Sequence, residues 1–172
     1  MLAAEVLCGR VEQGCFDRAV RVTLRLVERS GADCVLLSDL NWQFCVIFAR
    51  ILGDLDLGAV PRILPAPRDA AGLPLSAELA ALDPPARRQA ERFARVMDDT
   101  ARVIRLGADP AIACRGARAR LADAGIAAVD YLEMRHAATL ARVQDPRLEG
   151  PARLFGAVRL RGLRLIDSRP LP

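Results

Sequence analysis

Lysine is missing altogether from this chain of 172 residues, so all 25 of its basic residues are arginines. Histidine occurs once, at His136, and no C-x-x-C pair occurs among Cys8, Cys15, Cys34, Cys45 and Cys114. A zinc site needs four ligands at paired spacing, which this set cannot supply, so no metal site is expected. The odd, irregularly spaced cysteines read as reduced, mostly buried thiols acting as small hydrophobes. Seven aromatic residues are too few for the stacking platforms that hold single strands. The net charge is +4. Alanine is abundant alongside arginine, as a bias in nucleotide composition would produce, so the arginines read as solvated faces. An RNA-binding reading would rest on Arg153, Arg159, Arg161 and Arg164 alone, and no nucleic-acid partner is expected. No apolar run reaches membrane-spanning length, and "MLAAEVLCGR" lacks the basic start and cleavage site of a signal peptide. The expectation is a cytoplasmic protein without membrane association.

What is present is a core-forming composition, 52% hydrophobic, enough for one domain or one and a half. Asp17 is placed to cap a helix over 18–29, with Ala19, Val22, Thr23, Leu26 and Val27 on one face. "DCVLL" (33–37) is a continuous apolar run suited to a strand buried on both faces. Asn41 is placed to cap a second helix with Cys45, Phe48, Ala49 and Leu52 inward, ending at Gly53. "AVPRIL" (59–64) reads as the next strand, with Pro61 preferring its start or an edge. Strand, helix and strand with short connections form a parallel βαβ unit.

A loop with three prolines, 64–76, follows. Asp83-Pro84 then starts a long helix to Leu106, with Ala86, Ala90, Phe93, Met97, Ala101 and Ile104 inward. Asp109-Pro110 starts another, with Ala113, Ala117 and Leu121 inward and Gly125 at its end. Strands are expected over 127–134, 154–160 and 163–167. The alternation of Arg159 and Arg161 with Val158 and Leu160 suggests a sheet with one wet face. The fold class expected is an α/β, partial Rossmann-like βαβ segment (1–80) followed by an α+β C-terminal domain with a small antiparallel sheet (81–172).

In this order and spacing, "DYLEMRHAATL" and "RLRGLRLIDSRPL" resemble the C-terminal domain of the pantothenate synthetase (pantoate–β-alanine ligase) family. Its members carry D-Y-x-E-x-R-D-x-x-T-L and end in R-L-I-D-N. "LCGRVEQGCF" (7–16) resembles the family's L-E-G-x-x-R-P-G-H-F, "LLSDLNWQF" its F-G-x-K-D-x-Q-Q, and "RDAAGLPLSAEL" (68–79) its R-x-x-D-G-L-A-L-S-S-R-N. The resemblance implies a Rossmann-like nucleotide-binding domain and an ATP- and Mg²⁺-dependent condensation of pantoate with β-alanine through pantoyl adenylate. It also covers only the later part of a family chain.

The departures fall where that chemistry lies. The His-x-Gly-His signature is not in this chain. By the resemblance, Ser38 stands for the family glycine, Leu40 for the lysine, Asn41 for the aspartate and Phe44 for the glutamine that holds pantoate. Ala77 and Glu78 stand for the second serine and the arginine of S-S-R, and Glu12 and Cys15 for the arginine and histidine of R-P-G-H. Losing one preorganised charge-stabilising group costs about 10²–10³ in rate, so little of the family reaction should survive. The glycines at turns, Gly14 and Gly72, are kept.

No catalytic residue is therefore assigned. Ser38, Asp39, Leu75 and Ser76 are the candidate remnants of nucleotide binding. Gln43 is a candidate substrate contact, with a helix-face glutamine of no lost function as the equal alternative. Ser76 also suits a turn or cap, Asp39 a helix's first turn, and His136 the surface. Trp42 and Phe44 are expected to fill substrate space or face a partner. The functional expectation is a degenerate family member, inactive alone, that serves as a scaffold or partner-binding protein, as a homo-oligomer or with another protein. The alternative is a ligase or adenylate-forming enzyme completed by another chain or altered in substrate. ATP, Mg²⁺, pantoate and β-alanine enter only if the family activity is retained.

Overall fold

The structure is a computed structural model that describes residues 3–143 and 150–171. Its contacts divide it into two compact units, Met1–Pro65 and Ala66–Pro172.

In the first unit a short helix α1 (Leu7–Val11) leads to α2 (Cys15–Ser30), strand β1 (Cys34–Ser38), helix α3 (Trp42–Asp54) and strand β2 (Val60–Leu64). The strands pair in parallel from Cys34 opposite Val60 to Ser38 opposite Leu64. This is the expected βαβ unit. Pro61 is tolerated because a two-stranded sheet consists only of edges. Gly14, at φ +74°, is the residue before α2, so the helix begins ahead of Asp17, which lies in its first turn instead of capping it. Asn41 makes no capping bond with its side chain. A 3₁₀ turn over Asp39–Asn41 intervenes, capped by Ser38, whose Oγ accepts the Leu40 N–H at 3.3 Å.

Val27 of α2 and Phe48 and Leu52 of α3 share one core with Ala59, against which Val35 and Leu37 of β1 pack. Both longer helices thus serve the same side of the sheet. The expected strand buried on both faces is not found. Leu36 is 66% exposed, and Val60 and Leu64 are about half exposed. Val22 and Leu26, expected inward on α2, are exposed as well.

The second unit holds α4 (Ala77–Ala80), α5 (Pro84–Arg105), α6 (Pro110–Asp123) and strands β3 (Val129–His136), β4 (Ala152–Leu160) and β5 (Leu163–Pro170). Asp83 Oδ1 accepts the Ala86 N–H and Asp109 Oδ1 the Ile112 N–H, each at 2.8 Å, so both helices start where the Asp-Pro pairs predict. All six α5 residues expected inward are buried. The sheet is antiparallel in the order β3-β4-β5. Gly156 of β4 lies where a Cβ would come within 2.6 Å of Met97 Sδ and 3.0 Å of the Phe93 ring, so the close approach of strand and helix requires glycine there.

Two expectations about this sheet change. β4 is buried from Ala152 through Val158, because it is the central strand, and Arg153 is buried with its guanidinium bonded to Ser168 Oγ. Arg161 does not alternate on a wet face. It occupies the β4–β5 turn with Gly162, at φ +46° and +87°, the left-handed pair that matches strand twist in a two-residue hairpin.

Candidate functional site

Each unit carries one of the segments that the sequence singles out. In the first unit, β1 delivers the chain into the Ser38–Phe44 turn. The Ser38 hydroxyl caps Leu40 N, and its carbonyl accepts the Cys45 thiol at 3.3 Å, so both oxygens are engaged within the turn. Asp39 is half-buried at the start of the 3₁₀ turn. No cationic side chain stands between Ser38 and Phe44.

Gln43 is only 5% exposed. Its Oε1 accepts the Cys8 N–H at 3.0 Å, and its Nε2 donates to the carbonyls of Ala3 (2.8 Å) and Val6 (2.7 Å). The side chain ties α3 to the segment that opens the chain. That segment passes close enough that a Cβ on Gly9 would lie 1.6 Å from the Ala4 carbonyl oxygen. Next to it, the Phe44 ring stacks on Phe48 with centroids 5.3 Å apart and planes 15° apart. Phe44 thereby joins the margin of the core and presents no hydrogen-bonding group.

In the second unit, the loop after Ala66 is closed by its own polar groups. Arg68 forks onto Asp167 at 2.9 and 2.8 Å and also donates to the Gly72 carbonyl. Asp69 Oδ1 accepts the N–H groups of Ala71 and Leu73, and its other oxygen pairs with Arg87. Desolvation acts to raise the Asp69 carboxyl. The Leu73 N–H, the Arg87 guanidinium and the Ala71 N–H outweigh it and hold the group below the usual carboxylate range. Gly72, at φ +82°, makes the turn. Ser76 Oγ accepts the Leu79 N–H at 3.2 Å and so caps α4. Leu75 is exposed. Glu78 is held below its ordinary pKa by its own backbone N–H and by the Ser76 hydroxyl, so it carries its charge at neutral pH. A cavity of about 390 Å³ beside this loop is lined by Leu75, Ser76, Ala77, Asp69 and Arg87 among others. The cation of this lining, Arg87, is already engaged by Asp69 and by Glu91.

Three features escaped the sequence reading. Asp167, with a side chain 1% exposed, receives Arg68, Arg169 (2.6 Å) and the Ser168 N–H, and Arg169 pairs with Asp98 as well. Desolvation works against the Arg169 charge, but Asp167 and Asp98 more than offset it and raise its pKa. Arg135 is fully buried, bonded to the Leu140 carbonyl and to Glu133. His136 Nδ1 accepts the N–H groups of Ala138 and Thr139, fixing the turn after β3. The signal for the Asp167 network lay in "RDAAGL" and "RLIDSR", whose charged partners are distant in sequence, and that for Arg135 in "YLEMR", where Glu133 stands two residues away on the same strand.

The family model for Pantoate-beta-alanine ligase matches residues 2–169. The chain belongs to that family. Among similar proteins, a pantothenate synthetase of Rhizorhabdus wittichii is 36% identical over 160 residues, spanning 93% of this chain and 56% of that protein. One from Novosphingobium aromaticivorans is 36% identical over 170 residues, spanning 96% and 59%. A crystal structure of pantothenate synthetase from Thermus thermophilus superposes with a TM-score of 0.91 at 26% identity, over 99% of this chain and 61% of that one. The chain thus spans less than two thirds of the length of these relatives.

Taken separately, neither segment suits the magnesium–triphosphate group that the pantoate–β-alanine ligase pattern implies. The first unit's turn has no cation, and the Arg87 beside the second unit's loop is already paired, with Glu78 adding negative charge to that loop. Among the described residues, no group of three or more His, Cys, Asp or Glu side chains is arranged to hold a metal ion.

Proposed function

We propose that this chain is a degenerate pantoate–β-alanine ligase that does not join pantoate to β-alanine by itself and acts as a partner-binding scaffold. The observation that carries this reading is Phe44. At the position of the family's pantoate-binding glutamine stands an aromatic ring, stacked on Phe48 and part of the core margin. Leu40 at the lysine position and Glu78 at the arginine position support it, since each replaces a cation of the family pattern and phosphoryl chemistry relies on positive charge to stabilise its transition state. On this reading Ser38, Asp39, Leu75 and Ser76 are remnants of nucleotide binding that now cap and turn the chain. Gln43 holds the fold together.

The partner surface of this proposal is the uncovered side of β1 and β2. Leu36, Val60 and Leu64 are exposed there, beside two open strand edges. Apolar strand surface of that kind favours pairing with a second polypeptide or a second copy. The same surface favours the second reading, a ligase completed in trans by a chain that supplies the rest of the sheet.

The test is AMP release from ATP, Mg²⁺, pantoate and β-alanine by the purified chain. The expected result is release no faster than the protein-free control. Sustained turnover by this chain alone defeats the scaffold reading. Turnover only on addition of a second protein selects the completed ligase.

A further inference from the structure

Away from these segments, the second unit has a cleft of about 510 Å³. It is lined by the first half of α5, the end of α6 and the β4–β5 hairpin. Four arginines converge on it, Arg88 and Arg92 from α5, Arg159 from the end of β4 and Arg161 from the turn, together with the Gln89 side chain. Among the described residues no carboxylate lines it. Arg159 is held by Asp130 and Arg161 by Asp83, both at 2.9 Å and both outside the lining. Arg88 and Arg92 make no ion pair among the described residues.

That contrast is local. On the same helix Arg87 and Arg95 both pair with Glu91, and Arg102 with Asp99. The cleft face instead sets two like charges one turn apart without a carboxylate, an arrangement that repels itself unless an anion occupies it. Arg161 is also held in place from two sides. It is a non-glycine residue at φ +46°, and its guanidinium is bonded to the carboxylate that caps α5.

We propose that this cleft binds a small oligophosphate. Guanidinium forks match phosphate oxygens. Four of them around one cavity, two without a counter-charge among the described residues, suit an anion carrying several phosphates better than a single phosphate or carboxylate. The shared chemistry is a run of phosphoryl groups, whether inorganic or the tail of a nucleotide. The paucity of aromatic side chains favours a compact anion over an RNA strand.

The experiment is calorimetric titration of the full chain, at fixed ionic strength, with inorganic tripolyphosphate, ATP, orthophosphate and a single-stranded RNA homopolymer. Tripolyphosphate should bind more tightly than orthophosphate. The double variant R88A/R92A should weaken it about tenfold to a hundredfold, with a melting temperature of the free chain unchanged or slightly raised, since both side chains are exposed, make no ion pair among the described residues and repel each other. The control R25A/R29A removes the same charge from α2 and should shift affinity less than about twofold. ATP binding that is lost in R88A/R92A assigns the nucleotide tail as the source, and tripolyphosphate binding without ATP binding assigns an inorganic one. Absence of heat with tripolyphosphate, an equal loss in the control, or RNA bound more tightly than tripolyphosphate through Arg88 and Arg92 overturns the proposal.

Discussion

Gln43 and Cys8 stand 35 residues apart, yet the Gln43 side-chain oxygen accepts the Cys8 backbone N–H at 3.0 Å while its nitrogen donates to Ala3 and Val6. One buried amide therefore satisfies three main-chain groups of the opening segment. Its match to the family's glutamine has a structural reason that needs no ligand.

Replacing Gln43 by alanine removes all three bonds, although the Val6 carbonyl keeps the Gly9 N–H, and a buried group that loses its partner costs about 1–3 kcal/mol. Q43A should lower the urea midpoint by a corresponding amount. G9A should also destabilise, because its methyl would collide with the Ala4 carbonyl. Both changes disturb the same packing, so the double variant should lose less than the sum of the two. Strict additivity in a denaturation cycle would show that the two contacts are independent.

Asp167 of β5 holds the loop after Ala66 through Arg68 and pairs with Arg169 on its own strand. Removing one partner of a buried ion pair leaves uncompensated charge and costs about 3–5 kcal/mol. D167A should approach that loss, while R68M, which leaves Asp167 paired with Arg169, should lose less. Equilibrium unfolding checks the order, and R68M falling below D167A would contradict it.

Acid should weaken the second unit through Asp130. Desolvation acts to raise its carboxyl, but Arg164 and Arg159 outweigh it and depress the pKa. A depressed folded-state pKa means that the unfolded chain takes up the proton first. The contribution is present above the unfolded value, about 4, and is lost as pH falls through the lower folded value. Melting temperatures should decline below about pH 4, and D130N should show a shallower acid limb. An unchanged limb in D130N would remove Asp130 as a contributor.

Thiol labelling should separate the cysteines. Cys34 is exposed, whereas Cys114 is buried, and burial pushes its thiol up to about 11. The thiolate is the reacting form. At mildly alkaline pH Cys34 should react with a disulfide reagent well before Cys114, and C34S should abolish the fastest phase. Peptide mapping of the labelled chain identifies the order.

Much of the architecture is legible along the chain. Asp83-Pro84 and Asp109-Pro110 start the helices they predict, Gly14 and Gly72 take the left-handed conformations their turns need, and the βαβ order holds. The errors concern two caps, Asp17 and Asn41, and the faces of strands and helices. A short apolar run such as "CVLL" has the same composition whether one or both sides are covered. Likewise, the alternating arginines near β4 do not reveal that Arg161 enters a turn.

By itself the sequence determined the family, the order of the longer elements and the helix starts at Asp83-Pro84 and Asp109-Pro110. These rest on motifs in series and on caps whose partners lie within about four residues. The tertiary structure alone decided that Gln43 faces inward to Ala3, Val6 and Cys8, that Arg68 meets Asp167 across 99 positions, and that Leu36 is left open to solvent. The physical reason is that a cap is made by neighbouring atoms on one stretch of backbone. A buried polar pair, or the covering of a strand face, depends on which distant segments pack together.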